Sequence, residues 1–420
     1  MFKDLKKLSF CESLLLTFPL SLILGPLYVN LFLIIFTILF FYKIFKEKTF
    51  YLFREKWIFF FLIFITYSII RSFFAIDKFL ALQSSFSLIR LICLSFFIFF
   101  NISDSRNLKI IIKYWLIILL LVSLDTLWQY FFMKDIFGYE KGMQGLRLSG
   151  PFGKGFRVGA YLAYISVPLI FYYFSQWKHF KFSKKIFLTL VYCILLVTTA
   201  LTGERLGFLI FLASSFFIFA FYLSIKKCIY LLFFFTMLIL GTFYFSSSFN
   251  KRMTDFSNTV LHFKDSSWGR LYHSGYLVFK NNYLFGAGMK NYRVVCDKII
   301  VDPKPSSQHQ FCSTHPHHIY LEILSEAGLF GFSILIFTFA ELFYFIRRKI
   351  RKLNKNKIFQ EYKGLLYGNI LILLIYFWPL KTSGRFFTTW NGSFFWLSLG
   401  FILLLTKQIN KNSISTNKLK

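Results

Sequence analysis

Carboxylates are the scarcest feature of this chain: 18 Asp and Glu stand against 49 Lys and Arg in 420 residues, a formal charge of +31. A surplus of that size raises nucleic acid as a partner, yet the basic residues fall in short clusters between apolar runs, as in "KHFKFSKK" and "RRKIRKLNKNK". Clusters so placed are topology signals and contacts for anionic membrane lipid, and no nucleic-acid partner is expected. Cysteine is thin as well. The six cysteines have no C-x-x-C spacing, and Cys11, Cys93, Cys193 and Cys228 lie in or beside apolar runs, where a small buried hydrophobe is their role. His309, His315, His317 and His318 fall within ten residues, but H-E-x-x-H and any regular ligand pattern are missing, so no metal is expected. Internal repeats, low-complexity tracts and heptad seams are absent too.

What the chain has in abundance is hydrocarbon: 56% hydrophobic residues, 62 of them Phe, in runs near the roughly 20 residues that cross a bilayer. Read against their breaks, the runs give spans near 11–26, 28–44, 56–74, 80–100, 110–132, 159–176, 186–201, 206–225, 228–247, 317–346, 364–380 and 392–406. The expected fold is an all-α polytopic membrane protein with about twelve transmembrane helices and a large outer loop, 248–316, between the ninth and tenth. The opening "MFKDLKKLSFCESLLLTFPLSLILGP" has the basic-then-apolar order of a signal peptide but no small-x-small cleavage site, and reads as an uncleaved first helix. Three regions follow: N-terminal helices to 132, a central region 133–346, and C-terminal helices with a basic tail, 347–420. With both termini cytoplasmic, the inner loops collect most short-loop Lys and Arg. The outer face then receives 133–158, the turn at "TGERLG", 248–316 and "LKTSGRFFTTWNG". Cys296 and Cys312 share the outer loop of an oxidising compartment and are expected to be bridged.

Every unusual polar motif lies on that outer side. In "HHIYLEILSEAGLFG", His317 and His318 stand at the mouth of the tenth span, adjacent on a helix and so pointing about 100° apart. Glu322 and Glu326 follow at helical spacing. A helix N-terminus favours these carboxylates and depresses a histidine's proton affinity, which suits a neutral imidazole acting as base, although an interfacial structural histidine fits as well. In "TGERLG", Arg205 ends a membrane helix, where an arginine snorkels or holds a ligand. Arg270 lies in "SSWGRLYHSGYLVFKNNYLFGAGMKNYR", and Arg147, Lys154 and Arg157 lie in "GLRLSGPFGKGFRVG", a basic glycine-rich loop without the G-x-x-x-x-G-K-[ST] spacing of a phosphate loop. A guanidinium's planar fork matches phosphate oxygens bidentately, so arginines gathered at one membrane face suit a lipid-linked diphosphate.

Together, over about residues 140–340, these segments resemble the O-antigen ligase and polymerase superfamily of bacterial envelope enzymes. The resemblance rests on His-(polar)-x9-Gly-x-x-Gly, met by His317, His318, Gly328 and Gly331, on the small-residue/Arg turn "TGERLG", and on an Arg helix followed by "NNYLFGAGMKNY". Two positions depart from it: His318 replaces the usual Asn, Ser or Gln, and Asn282-Tyr283 stands where a proline is usual. The resemblance implies an all-helical inner-membrane enzyme, without metal, nucleotide or other cofactor, that moves a glycan from a polyprenyl (undecaprenyl) diphosphate to an acceptor hydroxyl on the periplasmic side. His317 would be the base, with Arg205 and Arg270 holding the diphosphate; Arg147, Lys154, Arg157, His318, Glu326 and Tyr292 would line the substrates. The acceptor would be lipid A-core for a ligase, or another glycan for a polymerase. A twelve-helix transporter or flippase would explain the topology too. Against it, no Gly/Pro-interrupted pair of spans occupies matching halves, and buried charges are few, Asp125 and Glu341 being the main candidates. A structural scaffold would show no loss of glycan transfer on changing single polar residues.

Overall fold

The structure, a computed structural model, describes residues 7–102, 104–142, 147–222, 224–299, 312–353, 357–382 and 384–417. Fifteen α-helices account for most of them, and no strand forms among the described residues beyond two isolated bridges. In chain order they are α1 Phe10–Leu24, α2 Pro26–Glu47, α3 Lys56–Ser72, α4 Lys78–Asn101, α5 Ser105–Phe132, α6 Val158–Ser175, α7 Phe182–Leu201, α8 Arg205–Tyr222, α9 Ile225–Phe245, α10 Ser247–Leu261, α11 Ser267–Asn281, α12 Tyr292–Ile299, α13 Ile319–Leu353, α14 Lys357–Tyr376 and α15 Thr389–Asn417.

Each of the twelve expected apolar segments falls on one of these helices. Among the described residues, eight are long and apolar enough to cross a membrane (α2, α4, α5, α6, α7, α8, α13 and α15), or nine if α9 and α10, bent by 99°, are one broken span. The shortfall has local causes. α1 and α3 have 15 and 17 residues, and the first half of α14 carries Gln360, Glu361 and Lys363.

Several of the scarce carboxylates are used at helix starts, where backbone N–H groups have no partner within the helix. Ser9 and Glu12 close a capping box on α1, Asp77 Oδ1 accepts from the Leu80 N–H at 2.9 Å, and Asp104 caps α5. Phenylalanine serves both solvents. Phe36 and Phe97 stack at 4.1 Å inside the bundle, whereas Phe79, Phe182 and Phe245 are exposed. α13 lies along α3, α14 along α6 and α15 along α4. The buried charges are more numerous than expected: Asp125 is buried and Glu341 half-buried, but Glu322, Glu326, Lys381 and Arg385 are buried as well.

α13 is broken at Gly328 (φ 66°), and residues 283–288 cross at the break. Leu329 and Phe330 donate to the Tyr283 and Leu284 carbonyls at 2.8 and 3.1 Å, while Ala287 and Gly288 donate to those of Ser325 and Glu326, both at 2.8 Å. The passing segment therefore satisfies the backbone groups that the break releases. Two side chains of α3 fasten the crossing: Tyr67 Oη donates to the Phe285 and Ala327 carbonyls, and Arg71 holds the Gly286 carbonyl at 2.6 Å. A Cβ on Gly328 would lie 2.4 Å from the Leu284 oxygen, and one on Gly286 would lie 2.4 Å from the Glu326 backbone. The glycine spacing thus marks where two backbones touch. Gly328→Ala should cost about 1–3 kcal/mol from backbone strain alone. A thermal melt in detergent checks this, and a wild-type midpoint would contradict the crossing.

Cys296 and Cys312 form a disulfide, with Val278, Ala287, Tyr292 and Val295 packed in a small satellite core beside it. Closing this loop is worth roughly 3 kcal/mol. Non-reduced peptide mapping should recover the linked pair, and alkylation of both thiols without prior reduction would refute the bridge.

Candidate active site

The four polar segments assigned to one face come together around a cavity of about 1200 Å³. The α5–α6 loop contributes Arg147 and Arg157, and the start of α8 contributes Glu204 and Arg205. α10 and α11 add Arg252, Trp268 and Tyr272. The segment before α12 brings Lys290, α12 itself brings Arg293, the segment before α13 brings His315, His317 and His318, and the α14–α15 loop brings Lys381 and Arg385. Eight Lys and Arg side chains thus face a wall that holds one carboxylate.

The turn "TGERLG" shows how local sequence aims these groups. Glu204 faces back onto α6, its Oε2 accepting from the Ala160 N–H at 2.9 Å, so it caps the positive end of that helix. Burial raises its pKa, while Ala160, Arg147 and Arg157 oppose that rise. Gly207 lets α8 meet α6, since a Cβ there would lie 2.3 Å from the Gly159 backbone. Arg205 is left to the cavity, its guanidinium 5.3 Å from the Phe256 ring centre and its buried Nε without a hydrogen-bond partner. Arg147 donates to the Phe156 carbonyl at 3.1 Å, and its Nε also has no partner.

The two adjacent histidines differ in role, though not for the helical reason expected. α13 begins only at Ile319, and both precede it. His318 is the cap: its carbonyl accepts from the Glu322 N–H at 2.8 Å, its Nδ1 from the Leu321 N–H at 3.4 Å, and its Nε2 contacts the Pro379 carbonyl at 2.9 Å. Burial lowers its pKa, consistent with a neutral ring that accepts on one nitrogen and donates on the other. His317 takes a left-handed backbone (φ 55°) that turns it to the cavity wall, edge-on to Trp268 at 5.1 Å.

Behind this wall Glu322 and Glu326, one helical turn apart on α13, grip Arg385: Nε to Glu322 Oε1 is 3.2 Å and Nη2 to Glu326 Oε2 is 2.6 Å. Glu322 also accepts from the Phe386 N–H at 3.1 Å, and Glu326 from the Lys290 N–H at 2.7 Å. Nearby, Lys381 donates to the Tyr164 hydroxyl at 3.0 Å and lies 4.1 Å from the Tyr376 ring centre. Burial lowers its pKa to about 7.

Residues 190–336 match the family model described as O-antigen ligase. This region belongs to the O-antigen ligase superfamily. No curated protein matches the chain. The O-antigen ligase region includes Arg205, Arg252, Lys290, Arg293 and His317, but Arg147, Arg157, Lys381 and Arg385 reach the cavity from outside it.

Of the residues singled out from sequence, Arg147, Arg157, Arg205, His317 and His318 meet at the cavity. The others do not. Lys154 is exposed elsewhere, Glu326 is buried in its ion pair, and Tyr292 is wholly buried with its hydroxyl 2.6 Å from Ser274 Oγ. Arg270 is half-buried on α11 but off the wall that Trp268 and Tyr272 line; at about 100° per residue those two share a face and Arg270 points away. His309 lies outside the described residues. Sequence reasoning missed Arg252, Lys290, Arg293, Lys381 and Arg385.

Proposed function

We propose that the protein transfers a glycan from a polyprenyl diphosphate to an acceptor hydroxyl at the outer face of the inner membrane, as a ligase acting on lipid A-core. The observation that carries this reading is the convergence of four sequence-distant segments on one cation-lined cavity with His317 in its wall. The Arg147, Arg205 and Arg252 side chains hold the donor's diphosphate, the guanidinium fork matching its oxygens. His317 takes the proton as the acceptor oxygen bonds to the anomeric carbon. The bond to the diphosphate breaks, and its electron pair leaves on a phosphate oxygen that the arginines stabilise. The diphosphate supplies its own leaving group, so no step uses a nucleotide or a metal. Arg270, off the cavity wall, has no part in this step.

The test is transfer from a polyprenyl diphosphate-linked glycan in membranes matched for protein level. Arg205→Lys should lose at least about tenfold while the protein still inserts, because lysine lacks the bidentate fork. Near wild-type transfer by this variant would leave Arg205 as a helix anchor only. Product on lipid A-core supports the ligase, whereas longer lipid-linked chains would assign a polymerase.

A further inference from the structure

The cavity's cations fall into two groups, and the diphosphate accounts for one. Arg147, Arg205 and Arg252, from the α5–α6 loop, α8 and α10, lie close enough to repel one another. Lys290 and Arg293, beside α12, are influenced instead by each other, by Arg385 and by Glu326. Arg385 is held by two carboxylates, and the Glu326 oxygen that accepts from the Lys290 backbone also carries Arg385. Among the described residues neither the Lys290 nor the Arg293 side chain forms an ion pair, and Arg293 Nε is buried without a hydrogen-bond partner. Both side chains are half-buried at the cavity, where an anionic ligand would supply charge-assisted hydrogen bonds to them.

Resting on the reading that Arg205 and its neighbours hold the donor, we infer that Lys290 and Arg293 form a second anion subsite, which selects an acceptor glycan carrying a phosphate or carboxylate. A neutral acceptor would need donors and acceptors of hydrogen bonds, not two cations. A cavity of about 1200 Å³ is large enough for both substrates.

The experiment is equilibrium titration of inorganic diphosphate into the purified full chain in nanodiscs of zwitterionic lipid. Wild type should bind two equivalents. Lys290→Gln with Arg293→Gln should weaken one of them at least tenfold, and Arg205→Gln with Arg252→Gln the other. In the latter variant, glycerol phosphate or glucuronate should displace the remaining diphosphate and methyl glucoside should not, and the stronger anion names the acceptor's group. A single equivalent in wild type, or loss of both equivalents with either pair, would overturn the second subsite and leave one continuous diphosphate site. Two equivalents surviving in the Arg205→Gln/Arg252→Gln variant would refute the donor reading, while loss of one with the Lys290→Gln/Arg293→Gln pair would still support the subsite.

Discussion

His317→Ala should lower glycan transfer by about 100- to 10,000-fold, the range of a positioned general base, whereas His318→Asn should keep substantial activity. The two residues are neighbours, so a general disturbance of this corner would affect both alike. Their surroundings separate them. His318 has its carbonyl, Nδ1 and Nε2 engaged in capping α13 and tying it to Pro379, and asparagine is itself a good N-cap. The left-handed backbone of His317 instead puts its ring on the cavity wall beside Trp268. Non-glycine residues held in that region cluster where function requires a particular aim. The measurement is transfer to acceptor in membranes matched for protein level, with a thermal melt to show that both variants fold. An active His317→Ala beside an inactive His318→Asn would make His318 the base and refute this assignment.

The motifs that could be read from the sequence are those whose chemistry is local. "TGERLG" carries its own turn, which aims Arg205 at the cavity, whereas the crossing at Gly328 depends on the distant segment 283–288 and was not legible in the glycine spacing. Where Arg270 points was not legible either, because which face of α11 meets the cavity depends on how the helix docks. The residues missed are long-range partners. Lys290 and Arg293 face the cavity only because 283–288 crosses the break in α13, and Arg385 comes from a loop about 60 residues beyond its carboxylates. One signal was present: two glutamates four apart in an apolar helix require a buried cation, and "LKTSGRFFTTWNG" on the same face supplies Lys381 and Arg385.

Arg385→Met should be the most destabilising single change in this region, by about 3–5 kcal/mol, because it leaves Glu322 and Glu326 buried side by side without their counter-charge. All three side chains are at most 4% exposed, so water screens the two carboxylates little. The loss would spread along the hydrogen bonds that share these carboxylates: Phe386 N–H on Glu322 fixes the α14–α15 loop, and Lys290 N–H on Glu326 fixes the segment that crosses α13. If the effect is electrostatic, removing the stranded charges should restore much of it, since a buried ion pair replaced whole by neutral groups of similar shape is often tolerated. Glu322→Gln and Glu326→Gln, added to Arg385→Met, should therefore melt well above Arg385→Met alone. Thermal melts of the four combinations (wild type, Arg385→Met, the double Gln variant and the triple variant) give the coupling directly. A triple variant no more stable than Arg385→Met would mean that Arg385 acts by filling space, and the ion-pair account of this wall would be wrong.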